Sequence, residues 1–144
     1  MADKTTLETV IREIYDARMR GDVDGILRHT ADNVQFAIAG CGASSAVPCS
    51  VTGQQQLRDV MGHLISTFAF SNGRVIDLMI DGDRAIVHWR VQVKAPASGE
   101  EAETELVDLV EFAGDKVLSF KQFADTALAS RLLASNQRAL AQAG

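Results

Sequence analysis

The sequence predicts an α+β domain in which three helices precede a curved antiparallel sheet and a further helix ends the chain. Three observations carry that reading. Apolar residues recur at helical spacing in three segments between Thr5 and Phe68. From Val75 to Ala124 the period drops to two, in runs parted by tight-turn sequences. The strictest run is Ala85–Val93, AIVHWRVQV, where Val87, Trp89, Val91 and Val93 are apolar and His88, Arg90 and Gln92 are polar. Alternation alone leaves two readings of this strand open: its apolar face lies on a core and its polar face in solvent, or its polar face lines a cavity.

Each element has its own signal. Thr5 and Glu8 have capping-box spacing ahead of Leu7, Val10, Ile11 and Ile14, so a first helix is expected from about Thr6 to Arg20, ending at Gly21. Asp22 is placed to cap a short second helix with Val23, Ile26 and Leu27 as its apolar stripe. Val34–Ala39 reads as a short strand. Gly40–Val51 reads as a mobile loop rich in Gly, Ser and Ala, and its position suggests a lid. Thr52 and Gln55 repeat the capping-box spacing before a third helix, whose stripe is Leu57, Val60, Met61, Leu64, Ile65 and Phe68. Val75–Ile80 and Ala85–Val93 flank Asp81-Gly82-Asp83, and Thr104–Phe112 and Lys116–Ala124 flank Gly114-Asp115, which predicts a four-stranded meander. Asp125 or Thr126 is placed to cap a last helix carrying Leu128, Leu132, Leu133 and Leu140, with a frayed end.

Composition narrows the function classes. A chain of 144 residues, 47% hydrophobic and 23% charged, is the size of one domain and buries enough surface for a core without metal or disulfide staples. Its net charge of −5, with no run of Lys and Arg, argues against nucleic-acid and acidic-membrane partners. Neither a signal-peptide pattern nor an apolar run long enough to span a bilayer is present, so a cytoplasmic location is expected. There Cys41 and Cys49 are expected as free thiols, and without neighbouring His they make no zinc site. No metal or nucleotide cofactor is implied: there is no Gly-rich phosphate loop and no His/Cys ligand spacing.

The segment GDVDGILRHTADNV at Gly21–Val34, with Val51-Thr52-Gly53 and VDLVEFAGDKVLSFKQFAD at Val107–Asp125, resembles the SnoaL-like and ketosteroid-isomerase-like branch of the nuclear transport factor 2-like superfamily. The resemblance implies a SnoaL-like domain over residues 1–125 and a helical tail over 126–144. It further implies a cone, with the sheet wrapped around the three helices and enclosing an apolar pocket. In that arrangement His88, Arg90 and Gln92 point inward, while Val87, Trp89 and Val91 face a partner subunit in a homodimer.

Compared position by position, the resemblance is uneven. Of the ketosteroid-isomerase set, the tyrosine of the first helix is matched by Ile14, the base aspartate by Ile38 and a supporting tyrosine by Met61. The oxyanion-binding aspartate is matched by Asp108. Of the limonene-epoxide-hydrolase set, Arg90 matches the arginine, while Gln92 and Gln122 stand where two aspartates would be. The cone would thus gather His88, Arg90, Gln92, Asp108 and Gln122 over a floor of Ile14, Phe36, Ile38, Met61, Leu64 and Phe68.

Arg90 and Asp108 are expected to pair, with His88 as general acid or base, Asp108 as anchor or proton acceptor, and Arg90 polarising a carbonyl or holding a carboxylate. Tyr15 is placed on the flank of the first helix, and Arg18 at most near the pocket mouth. The implied ligand is a compact, mostly apolar cyclic metabolite of steroid, terpene or polyketide type, with possible cofactor-independent acid–base chemistry of isomerase, cyclase or hydrolase/lyase type. A ligand carrier and a homodimeric association module are the alternatives.

Overall fold

The computed structural model describes residues 2–40 and 50–143. Helix α1 (Lys4–Arg20) starts at Asp3, whose carboxylate accepts the Thr6 amide at 2.8 Å, and stops at Gly21 in the left-handed conformation, φ 73°. The expected Thr5–Glu8 box is not used, because Asp3 already caps the helix. Helix α2 (Val23–Leu27) is capped by Asp22, whose Oδ1 accepts the Gly25 amide at 2.9 Å. A Cβ at Gly25 would come within 2.6 Å of Asp22 Oδ2, so the G-D-x-D-G sequence has a steric reason for its last glycine.

Strand β1 (Thr30–Ile38) begins four residues before the alternation becomes visible in the sequence. A short strand β2 (Ser50–Thr52) pairs antiparallel with it, and Gly53 at φ 89° leads into α3 (Gln54–Thr67). Thr52 is no cap here; its amide donates to Gln56 Oε1 at 2.9 Å. The lid expected over Gly40–Val51, with Cys41 and Cys49, falls almost wholly outside the described residues.

Four long strands follow: β3 (Ala69–Asp81), β4 (Arg84–Lys94), β5 (Glu101–Ala113) and β6 (Lys116–Phe123). They form the expected meander, but the sheet is larger and mixed. Its order is β2-β1-β6-β5-β4-β3, and β1 runs parallel to β6. Turn sequences report only neighbouring hairpins, so this long-range pairing left no local trace. The sheet curves without closing around the helices, an α+β cone. Strand β3 lies at one edge and is broken by two register shifts, with Asn72 at φ 52° between Ser71 and Arg74.

The faces of β4 are opposite to those implied by the resemblance. Val87, Trp89 and Val91 are at most 2% exposed and point into the cone, whereas Ile86, His88, Arg90 and Gln92 lie on its outer face. The direct hydrophobic rule holds, and the polar face of this strand, His88, Arg90 and Gln92, does not line the apolar cavity inside the cone. Helix α4 (Thr126–Ala143) packs over the mouth of the cone through Leu128 and Leu132, which meet Phe68, Phe70 and Val93. Asn136 fastens it by donating to the Thr67 carbonyl and accepting the Ala97 amide, both at 3.0 Å. No helix among the described residues is long and apolar enough to cross a membrane.

Candidate functional site

Between α1, α3, the inner face of the sheet and α4 lies a cavity of about 150 Å³, lined almost entirely by apolar side chains. Ile14, Phe36 and Ile38 contribute to its wall, as do Met61, Leu64, Phe68 and Gln122. Leu128, Ala129 and Leu132 of α4 complete it, so the C-terminal helix is part of the site.

The polar centre is a cluster of three side chains. Tyr15 on α1 donates its hydroxyl to Asp108 Oδ2 at 2.6 Å, and Trp89 on β4 donates its indole N–H to the same oxygen at 2.9 Å. The two rings stack with centroids 4.3 Å apart, so each donor is held in place by the other's π-face. Asp108 itself is fully buried on the inner face of β5, behind the rings, opposite Val87 and Gln122 in the ladders. Its Oδ1 is buried without a hydrogen-bond partner.

Burial pushes the Asp108 carboxyl up to about 7, against the hydrogen bonds from Tyr15 and Trp89 and the neighbouring Gln122 amide, which favour the ionised form. Asp108 is therefore a buried acid that exchanges its proton near neutral pH. The Tyr15 hydroxyl is pushed the same way, first by burial and then by the adjacent Asp108, so it stays protonated and remains a donor.

Arg18 is the second polar feature of the wall. Its guanidinium lies 3.8 Å from the centroid of the Phe70 ring, and Nη2 donates to the Phe68 carbonyl at 2.8 Å and the Leu64 carbonyl at 3.4 Å. These carbonyls close the C-terminal end of α3, where a cation is favoured. Burial lowers the guanidinium to about 10, which leaves it charged at neutral pH.

Three expected site residues do not reach this cavity. His88 bonds Glu105 at 2.9 Å and lies 3.9 Å from Asp77; Arg90 meets Glu105 at 3.3 Å and Glu103 at 3.5 Å, all on the outer face with Gln92. The expected Arg90–Asp108 pair does not form, because Asp108 stands opposite Val87, three positions from Arg90 along β4, and that odd offset puts the two on opposite faces of the sheet. His29 lies elsewhere, on Glu13 at 2.7 Å.

In their place the structure brings Tyr15, Trp89 and Arg18 to the cavity. A signal for two of them was available: Ile11, Ile14, Tyr15 and Arg18 form one i, i+3, i+4, i+7 stripe, wider than the single position singled out at Ile14. Among the described residues no three His, Cys, Asp or Glu side chains gather as a metal site would require.

Comparison with solved structures places this architecture. A nuclear transport factor 2-like protein of unknown function from Burkholderia pseudomallei superposes with a TM-score of 0.79 at 22% identity, over 89% of this chain and 97% of that one. A Bacillus subtilis protein provisionally called an isomerase gives 0.84 at 10% identity, over 94% and 97%. TerC, co-crystallised with polyporic acid, gives 0.75 at 17% identity, over 90% and 98%. At these identities the likeness is one of fold. No curated protein matches the sequence. The profile of the SnoaL-like domain matches residues 11–120, and on that match the chain belongs to the SnoaL-like family.

Proposed function

We propose that the protein binds a compact, mostly apolar cyclic molecule inside the cone, with Tyr15 and Trp89 as the aromatic wall and Asp108 as the buried acid that orients them. The observation that carries the reading is the apolar cavity of about 150 Å³ into which few polar side chains project. That volume suits one ring or two small fused rings better than a four-ring steroid. Among proteins of the same fold, TerC was crystallised with polyporic acid, which supports a small-molecule ligand.

Acid–base chemistry of isomerase or cyclase type is supported by one feature, a carboxyl whose proton is exchangeable near pH 7 next to a tyrosine hydroxyl. A ligand that took the Tyr15 hydrogen bond away from Asp108 would receive a donor already aligned by stacking. A specific observation favours a carrier instead: both aromatic donors are spent on Asp108, so the resting site offers little to a reacting atom.

The outer face of the sheet supports a homodimer. Met79, Ile86 and Leu109 stand side by side in register across β3, β4 and β5, each at least 38% exposed, with Phe123 in the neighbouring row. The partner surface proposed here is this row, in place of the inward-facing Val87, Trp89 and Val91.

Native mass spectrometry of freshly purified protein, followed by extraction of anything bound, tests the reading. A dimer carrying a small cyclic molecule supports it. A protein that arrives empty and takes up no cyclic compound from a fragment mixture overturns the pocket and leaves an association module.

A further inference from the structure

Arg18 offers more than the fold uses. Its guanidinium is largely withdrawn from water, a placement that is costly for a cation unless partners compensate. Nη2 has such partners in the Phe68 and Leu64 carbonyls, and the guanidinium lies over the Phe70 ring. Nη1 has none: it is buried with no hydrogen bond, and none of the ion pairs among the described residues includes Arg18. Capping α3 explains Nη2 and leaves the two protons of Nη1 unaccounted for.

Arg18 also belongs to the cavity wall, and the other strong donors there, the Tyr15 hydroxyl and the Trp89 N–H, are committed to Asp108. A positive, planar, half-satisfied donor group in an otherwise apolar chamber is complementary to an anionic oxygen attached to an apolar body.

We propose that the ligand of the cavity carries an anionic oxygen, a carboxylate in its simplest form, and that Arg18 binds it through Nη1. This rests on the reading that the cavity takes a small cyclic molecule, and it names the chemical class of that molecule. Arg18 is then the specificity-determining residue of the site, while Tyr15 and Trp89 contact the ring.

The test uses two probes of nearly equal shape, cyclohexanecarboxylate and cyclohexanecarboxamide, titrated near neutral pH against the full chain. Trp89 is the only tryptophan in the sequence, so its fluorescence reports occupancy directly, with calorimetry as a check. The expected result is tighter binding of the acid than of the amide by about tenfold or more, the increment of one hydrogen bond to a charged group. Arg18→Gln, which keeps a donor for the Phe68 carbonyl, removes that preference of acid over amide.

Equal affinity of acid and amide in the unaltered protein overturns the assignment without any variant having to fold. So does a preference that survives in Arg18→Gln. Binding of neither probe overturns the pocket itself, and the two failures are told apart by the amide alone.

Discussion

At the scale of single residues the decisive group is Asp108, and its effect on stability has a definite sign. With its carboxyl raised from 3.8 to about 7, the folded chain holds a proton between those values that the unfolded chain has released. Stability from this group is therefore greatest below about pH 4, falls as pH rises toward 7, and is flat above it. Thermal melts of the unaltered protein and Asp108→Asn across that range should show the unaltered protein gaining on the variant as pH is lowered from 8 to 5. Parallel curves would mean that the carboxyl titrates as an exposed one does.

Tyr15→Phe keeps the stack on Trp89 and deletes one donor to Asp108, so it should cost roughly 1–3 kcal/mol above pH 7 and less below it. Because the Tyr15 hydrogen bond holds the carboxyl down, its removal should move the Asp108 midpoint upward. Asp108 was visible in the sequence through the VDLVEF segment. Its partners were not, since Tyr15 and Trp89 lie 93 and 19 residues away and acquire meaning only once α1 is laid against β4 and β5.

At the scale of elements, α4 joins the site to the fold. It is tied down at Ser135 Oγ to Ser98 Oγ, 2.6 Å, at Arg131 to Glu100, 3.1 Å, and at Asn136 on both sides. Asn136→Ala leaves the Ala97 amide and the Thr67 carbonyl without this side chain and should cost about 1–3 kcal/mol. Hydrogen exchange checks where that cost falls: amides of 126–143 should speed up well before those of α1, and uniform acceleration would show that α4 unfolds only with the whole chain.

The elements themselves were the most legible part of the sequence. Helical stripes and two-residue alternation located α1 to α4 and the four long strands, because both patterns are local. The alternation of β4 was equally local, but alternation alone left open which of its two faces lies inside. Resemblance to relatives that carry working polar residues on this strand turned His88, Arg90 and Gln92 inward, and burial turns them out. Strand β2 and the parallel β1–β6 contact carry no turn signal or alternation of their own and arise from closing the sheet.

At the scale of the whole molecule, the sheet presents two different surfaces. The inner one is consumed by the core and cavity, and the outer one carries the apolar row Met79, Ile86 and Leu109 beside the ion pairs of His88 and Arg90. A charge in the middle of that row should separate subunits without disturbing the interior. If the proposed homodimer forms through this row, Ile86→Glu is expected to give monomer in native mass spectrometry while probe binding in the cavity persists, and a dimer that survives would place the interface elsewhere.

The free margin of the sheet is the long strand β3, and its irregularities bear on a hazard of a different kind. Thirteen residues of regular edge would offer an incoming chain an unbroken row of amides and carbonyls, the template from which aggregates and fibrils grow. The two register shifts and the positive φ at Asn72 interrupt that row, so a foreign strand meets matching donors for only a few residues at a time. The same breaks in register thus work against polymerisation through this edge.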